Sequence, residues 1–203
     1  MSSVGTVSRP ASVSNTRSII FGVLTISGIG LLLYSWFQPW WQAYIVALSE
    51  IAVVIRPWGL VSYMPQEYSK WLVGAEMPSW FGPLMWVYAG AAVGTLVYSM
   101  FVSEEQIRLG KFKMSLQKAL IALVGLSYIV FVVVCVIVIS IRAKDFYGAS
   151  VMGTINVSFS DHEVSDVDTG LLSGYWIAAS VGPLLVVLAF LREKILGIRK
   201  SVK

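Results

Sequence analysis

Four long stretches of this chain contain no Asp, Glu, Lys, Arg or His: residues 18–37, 82–102, 119–141 and 171–191. As helices rising about 1.5 Å per residue, each is long enough to cross the roughly 30 Å hydrocarbon core of a bilayer. Lipid gives a backbone no hydrogen-bond partners, so a spanning segment must be a helix or part of a closed barrel. The strand-like alternation of a barrel is missing, which leaves helices. Of 203 residues, 57% are apolar and only 13% charged, against roughly 25% charged in a soluble domain. The charges sit between the four runs. The chain therefore reads as an all-α membrane protein, a four-helix transmembrane bundle.

Residues 1–17 are Ser/Thr-rich, with Arg9 and Arg17 as their charges, and read as a disordered tail. A signal peptide is the competing reading. The run after it is too long for a typical signal core, and Gln38-Pro39-Trp40-Trp41 is a poor cleavage site. The spans leave outer loops at 38–81 and 142–170, a charged inner loop at 103–118 and a basic tail at 192–203. The stretch 40–55 is apolar too, but it follows Pro39, contains Glu50 and stops at Arg56-Pro57. It is too short to span. Ile51, Val53, Val54 and Ile55 favour a strand, while Tyr44, Ala47, Leu48, Ile51 and Ile55 also fit a helical face. An ordered element on the outer surface is expected, with strand ahead of helix.

Positive charge orients the spans. Arg9, Arg17, Arg108, Lys111, Lys113, Lys118, Arg192, Lys194, Arg199, Lys200 and Lys203 fall in the tails and inner loop, eleven of the 15 Lys and Arg. The positive-inside rule then places both termini in the cytoplasm. Basic residues flanking apolar runs point to anionic lipid headgroups as the partner of the +4 net charge, and no nucleic acid is expected. The 8 tryptophans are Trp36, Trp40, Trp41, Trp58, Trp71, Trp80, Trp86 and Trp176, all in the first outer loop or the outer half of a span. Indole favours the membrane–water interface. So one-sided an enrichment also implies a Trp-rich extracytoplasmic cap, open to short β-strands. Trp40, Trp41, Trp58, Trp71 and Trp80 are its candidate outer interface.

Little of the chain points to chemistry. Ion coupling and proton relays nearly always need ionisable groups inside the membrane, which weighs against a pump. Asp161, His162, Glu163, Asp166 and Asp168 are residue types that bind divalent cations, but the EF-hand glycine and terminal glutamate are missing. A solvated acidic loop is the plainer reading. Asn156-Val157-Ser158 fits a glycosylation sequon on the outer side. Gly90 and Gly94 form a small-xxx-small pair, suited to close packing within the bundle or against another subunit. Pro183 is expected to kink the fourth span. The 1 cysteine, Cys135, reads as a lipid-buried hydrophobe. No nucleophile–base pair, phosphate loop or cofactor fingerprint is found, so no enzyme and no cofactor are expected.

The layout resembles the claudin-like tetraspan superfamily, whose members have four helices, a large first outer loop with strands and a smaller second one. In that loop a Trp precedes a Gly-Leu-Trp and two cysteines. Here Pro39-Trp40-Trp41 is followed by Gly59-Leu60, with Val61 at the second tryptophan position and Trp58 next door. Gly170-Leu171-Leu172-Ser173-Gly174-Tyr175-Trp176 looks like the family's glycine-rich, aromatic entry to its last helix. Both loop cysteines are absent, so the loop must be held by packing. The resemblance implies adhesion, barrier or auxiliary-subunit roles. The expected function is a non-catalytic structural or accessory subunit that contacts membrane lipids and other membrane protein subunits or itself. A structural subunit of a membrane enzyme or respiratory complex, and a lipid or small-molecule transporter, are the alternatives.

Overall fold

The computed structural model describes residues 15–63, 77–102, 106–109, 112–145, 148–160 and 163–197. Four helices carry the apolar runs: α1 (Asn15–Phe37), α2 (Phe81–Phe101), α3 (Leu116–Asp145) and α4 (Ser173–Leu196). All four are long and apolar enough to cross a membrane. Each turns one stripe inward. On α3 the buried positions include Ile121, Val124, Tyr128, Val132, Cys135 and Ile139, recurring every three or four residues. The opposite faces are equally apolar and stay exposed, as at Val87 (68%), Phe101 (81%) and Val130 (62%). Water would not tolerate apolar patches so large. Lipid does, and the chain is a multi-pass membrane protein.

The all-α class needs correcting. Among the described residues seven strands accompany the helices: β1 (Trp41–Ile45), β2 (Glu50–Arg56), β3 (Gly59–Ser62), β4 (Gln106–Leu109), β5 (Phe112–Ser115), β6 (Gly153–Ser160) and β7 (Glu163–Leu171). Five of them form an antiparallel sheet in the order β3-β2-β1-β7-β6. The stretch 40–55 thus supplies two strands, in line with its β-branched residues. The second outer loop, expected to be a solvated acidic loop, is itself a hairpin. Asp166 and Asp168 alternate with buried Ser165, Val167 and Thr169 along β7, a period-two pattern that lays the acids on one face. A lone two-stranded hairpin is marginal in water. Pairing β1 with β7, from Trp41 opposite Leu171 to Ile45 opposite Val167, merges the two loops into one sheet.

The sheet caps one end of the bundle, since α1 leads into β1 and β7 leads into α4. Both described helix ends nearest the termini lie at the other end, beside the β4–β5 hairpin. There Arg192 is 3% exposed within α4, and its Nε donates to Gln117 Oε1 at 2.7 Å. Lys118 pairs with Glu193 at 3.5 Å. A Cβ on Gly197, which closes α4 at φ +69°, would overlap the Arg17 guanidinium of α1.

Candidate functional site

Bundle and sheet meet at Trp40. Its indole is fully buried, and its Nε1 donates to the Ser35 carbonyl at 2.9 Å. Its backbone N–H donates to the Ile55 carbonyl, and its own carbonyl accepts from Leu172 N–H, each at 2.9 Å. One residue thus joins the end of α1, the end of β2 and the entry to α4. Its ring stands edge-on to Phe131 of α3 (6.0 Å) and Tyr175 of α4 (5.9 Å), the preferred aromatic geometry. Gly174 explains the glycine-rich entry to α4: a Cβ there would lie 2.5 Å from the Pro39 carbonyl oxygen and 2.7 Å from Gln38 Cβ. Trp41 reaches the second loop, its Nε1 donating to the Val151 carbonyl at 2.8 Å. Packing and hydrogen bonds through these two indoles tie together loops that have no cysteine to bridge them.

Beside this junction lies a cavity of about 70 Å³. Its floor is one face of α3, formed by Phe131, Val134, Cys135, Val138 and Ile139. The spacing of three and four residues puts all five on a single stripe. Phe81 and Met85 of α2, with Met77 before it, form one wall, and Trp40, Ile55, Arg56 and Pro57 of the cap form the roof. Val134 is half exposed on the outside of the bundle, so the cavity reaches the lipid-facing surface. Arg56 is the one charged residue among the described lining. Its guanidinium carbon lies 5.4 Å from the centroid of the Trp58 ring, within cation–π range. Trp58 stacks in turn on Trp86 (6.4 Å). Arg56 Nε, Trp58 Nε1 and Trp36 Nε1 are buried and have no hydrogen-bond partner among the described residues. A buried N–H left unpaired costs about 1–3 kcal/mol, so such a cluster is a place to look for a ligand. An aliphatic floor, aromatic walls and one cation at the rim suit an apolar or amphiphilic guest.

The residues singled out from the sequence fall in several places. Trp40 and Trp41 are core, 0% and 1% exposed, and not outer surface. A large indole is best satisfied by full burial with its N–H paired, and the cap provides both. Trp58 is half-buried, Trp80 is 62% exposed and Trp71 lies outside the described residues. Of the acidic cluster, Asp161 and His162 lie outside the described residues, and Glu163 is placed by its backbone alone. Asp166 accepts from Asn156 Nδ2 and Asp168 from Thr154 Oγ1, both at 2.6 Å. These are cross-strand pairs on the exposed face of β6 and β7. Asn156 therefore stands exposed in a strand with its amide nitrogen engaged. No cluster of three metal-binding side chains occurs among the described residues.

Gly90 and Gly94 are exposed on α2, and a Cβ at either would meet nothing within 4 Å. Close glycine packing occurs between α3 and α4 instead. A Cβ on Gly125 would lie 3.0 Å from the Gly182 carbonyl oxygen, and one on Gly182 would lie 3.0 Å from that of Gly125. Pro183 follows Gly182 inside the unbroken α4. Sequence reasoning also missed the Arg56 rim and the stripe from Phe131 to Ile139. The helical spacing of that stripe was available, as was the isolation of Arg56 before Pro57-Trp58. No family model matches the chain, and a search of curated proteins finds no match.

Proposed function

We infer that the chain is a non-catalytic accessory or structural subunit of the cell membrane, with both termini cytoplasmic and the sheet outside. It holds other membrane proteins, or copies of itself, through its helix faces and its outer cap. The observation that carries this reading is the five-stranded sheet. By pairing β1 with β7 it turns two loops into one platform, with Asn156, Asp166 and Asp168 on its exposed face and β6 at an edge. An edge strand offers backbone donors and acceptors to a partner. The uncharged centres of the spans fit a scaffold better than an ion-coupled transporter. The inward bias of Lys and Arg supports the orientation.

The claudin-like resemblance supports the same class of role. Trp41 pairs with Ile55, which pairs with Leu60, so the loop's Trp and Gly-Leu elements lie in one row across the sheet, on β1 and β3 with β2 between them. The test is purification in mild detergent followed by native mass measurement. A fixed stoichiometry with a second membrane protein, or a defined oligomer, is the expected result. A chain that remains a bare monomer at all detergent concentrations contradicts the reading.

A further inference from the structure

We propose that the cavity between α2, α3 and the sheet binds one phospholipid of the surrounding leaflet, an acyl chain inside and the phosphate on Arg56. The cavity of about 70 Å³ is several times the roughly 10–15 Å³ that one water needs. Apart from Arg56 its described lining offers aliphatic and aromatic surface, and an apolar cavity of this kind does not fill with water. Half-exposed Val134 opens it toward lipid, so the occupant arrives from the bilayer and an acyl chain has the right shape and polarity. The rim then selects the head. Arg56 Nε is buried and has no partner among the described residues, and a guanidinium is the side chain best matched to a phosphate.

The depth agrees. The Arg56-Pro57-Trp58 turn rests on the first turn of α2, because a Cβ on Gly82 would lie 3.2 Å from the Trp58 carbonyl oxygen. Trp80 and Trp86, 62% and 45% exposed, flank the same turn. Exposed indoles mark the headgroup level. Arg56 therefore meets phosphates at their own depth, at the rim of the apolar cavity. This binding does not depend on the subunit reading, since a monomer would bind the lipid equally well.

The test is native mass spectrometry of the delipidated protein titrated with palmitoyl-oleoyl phosphatidylglycerol or with the matching diacylglycerol, which lacks the phosphate. The wild type is expected to retain one phosphatidylglycerol under activation that strips bulk lipid, and to bind the diacylglycerol at least tenfold more weakly. Arg56→Gln should lower phosphatidylglycerol retention about tenfold and Arg56→Lys less. Val138→Trp, which fills the floor, should abolish it. Arg142→Gln, at the same end but paired with Asp145 at 3.2 Å, should leave it unchanged. Equal binding of both lipids by the wild type overturns the proposal whatever the variants do. So does loose multiple adduction, or retention undiminished in Arg56→Gln and Val138→Trp.

Discussion

α4 and α2 present lipid with much the same apolar surface, yet they are held in opposite ways. α4 packs extensively against both α1 and α3, while α2 packs chiefly against α3 and leaves the cavity beside it. The difference lies in where small residues point. Gly125 and Gly182 face one another and let two backbones approach closely. Gly90 and Gly94 face outward and bring nothing close. In a bilayer no hydrophobic effect drives helices together, so close packing and a few hydrogen bonds decide which pairs form. The α3–α4 seam has the packing. α1 is tied to α3 by the Ser35–Tyr128 hydroxyl pair at 3.1 Å. α2 has a stacked Tyr88–Phe131 pair (4.6 Å) and a long Tyr88–Ser127 contact (3.4 Å). A rigid three-helix unit with a looser fourth helix is the arrangement in which a lateral lipid site can open.

Four substitutions probe that contrast. Trp40→Ala removes the residue that joins the end of α1, the end of β2 and the entry to α4. A loss of about 3–5 kcal/mol is expected for so large a buried aromatic, read as a collapse of thermal stability in detergent. A loss near that of a surface residue would remove Trp40 from the junction. Gly182→Leu drives a side chain into the backbone of α3 and should cost about 1–3 kcal/mol. An unchanged melting temperature would mean the seam is not close-packed. Tyr128→Phe deletes one buried hydroxyl bond and is expected to cost about 1 kcal/mol or less, measured by the same melt. Gly90→Leu, the same chemical change as at Gly182 but on α2, should stay within about 0.5 kcal/mol. If Gly90→Leu leaves the detergent monomer intact yet dissociates an oligomer, the outward glycine face of α2 is a subunit contact.

The sequence exposes these features unevenly. The spans are legible because charge is excluded over a length set by the bilayer. Strands at 40–55 are legible from Ile51, Val53, Val54 and Ile55. The second hairpin is concealed by the charge of Asp166 and Asp168, although their period-two spacing is that of a half-buried strand. The rotation of each helix is not legible. An apolar residue suits lipid and bundle alike, so nothing local distinguishes inward Gly125 from outward Gly90. The tryptophans mislead for a related reason. Indole is at home both at an interface and in a core, and with no disulfide available the cap uses Trp40 and Trp41 as core. The Arg56 rim depends on β2 ending above the first turn of α2, a contact between elements distant in sequence.

The fold stands on the loops at 38–81 and 142–170 sharing one sheet. Tyr44 and Asp168 are register partners on β1 and β7, and directly opposite residues hold their Cβ atoms within about 4.5–5.5 Å. With Cys135→Ala as background, Tyr44→Cys combined with Asp168→Cys should bridge rapidly under mild oxidation or with a short bismaleimide, while the protein stays folded and monodisperse. If that pair fails to bridge and Tyr44→Cys bridges instead to a cysteine several residues off register on β7, or to none, the loops do not share a sheet.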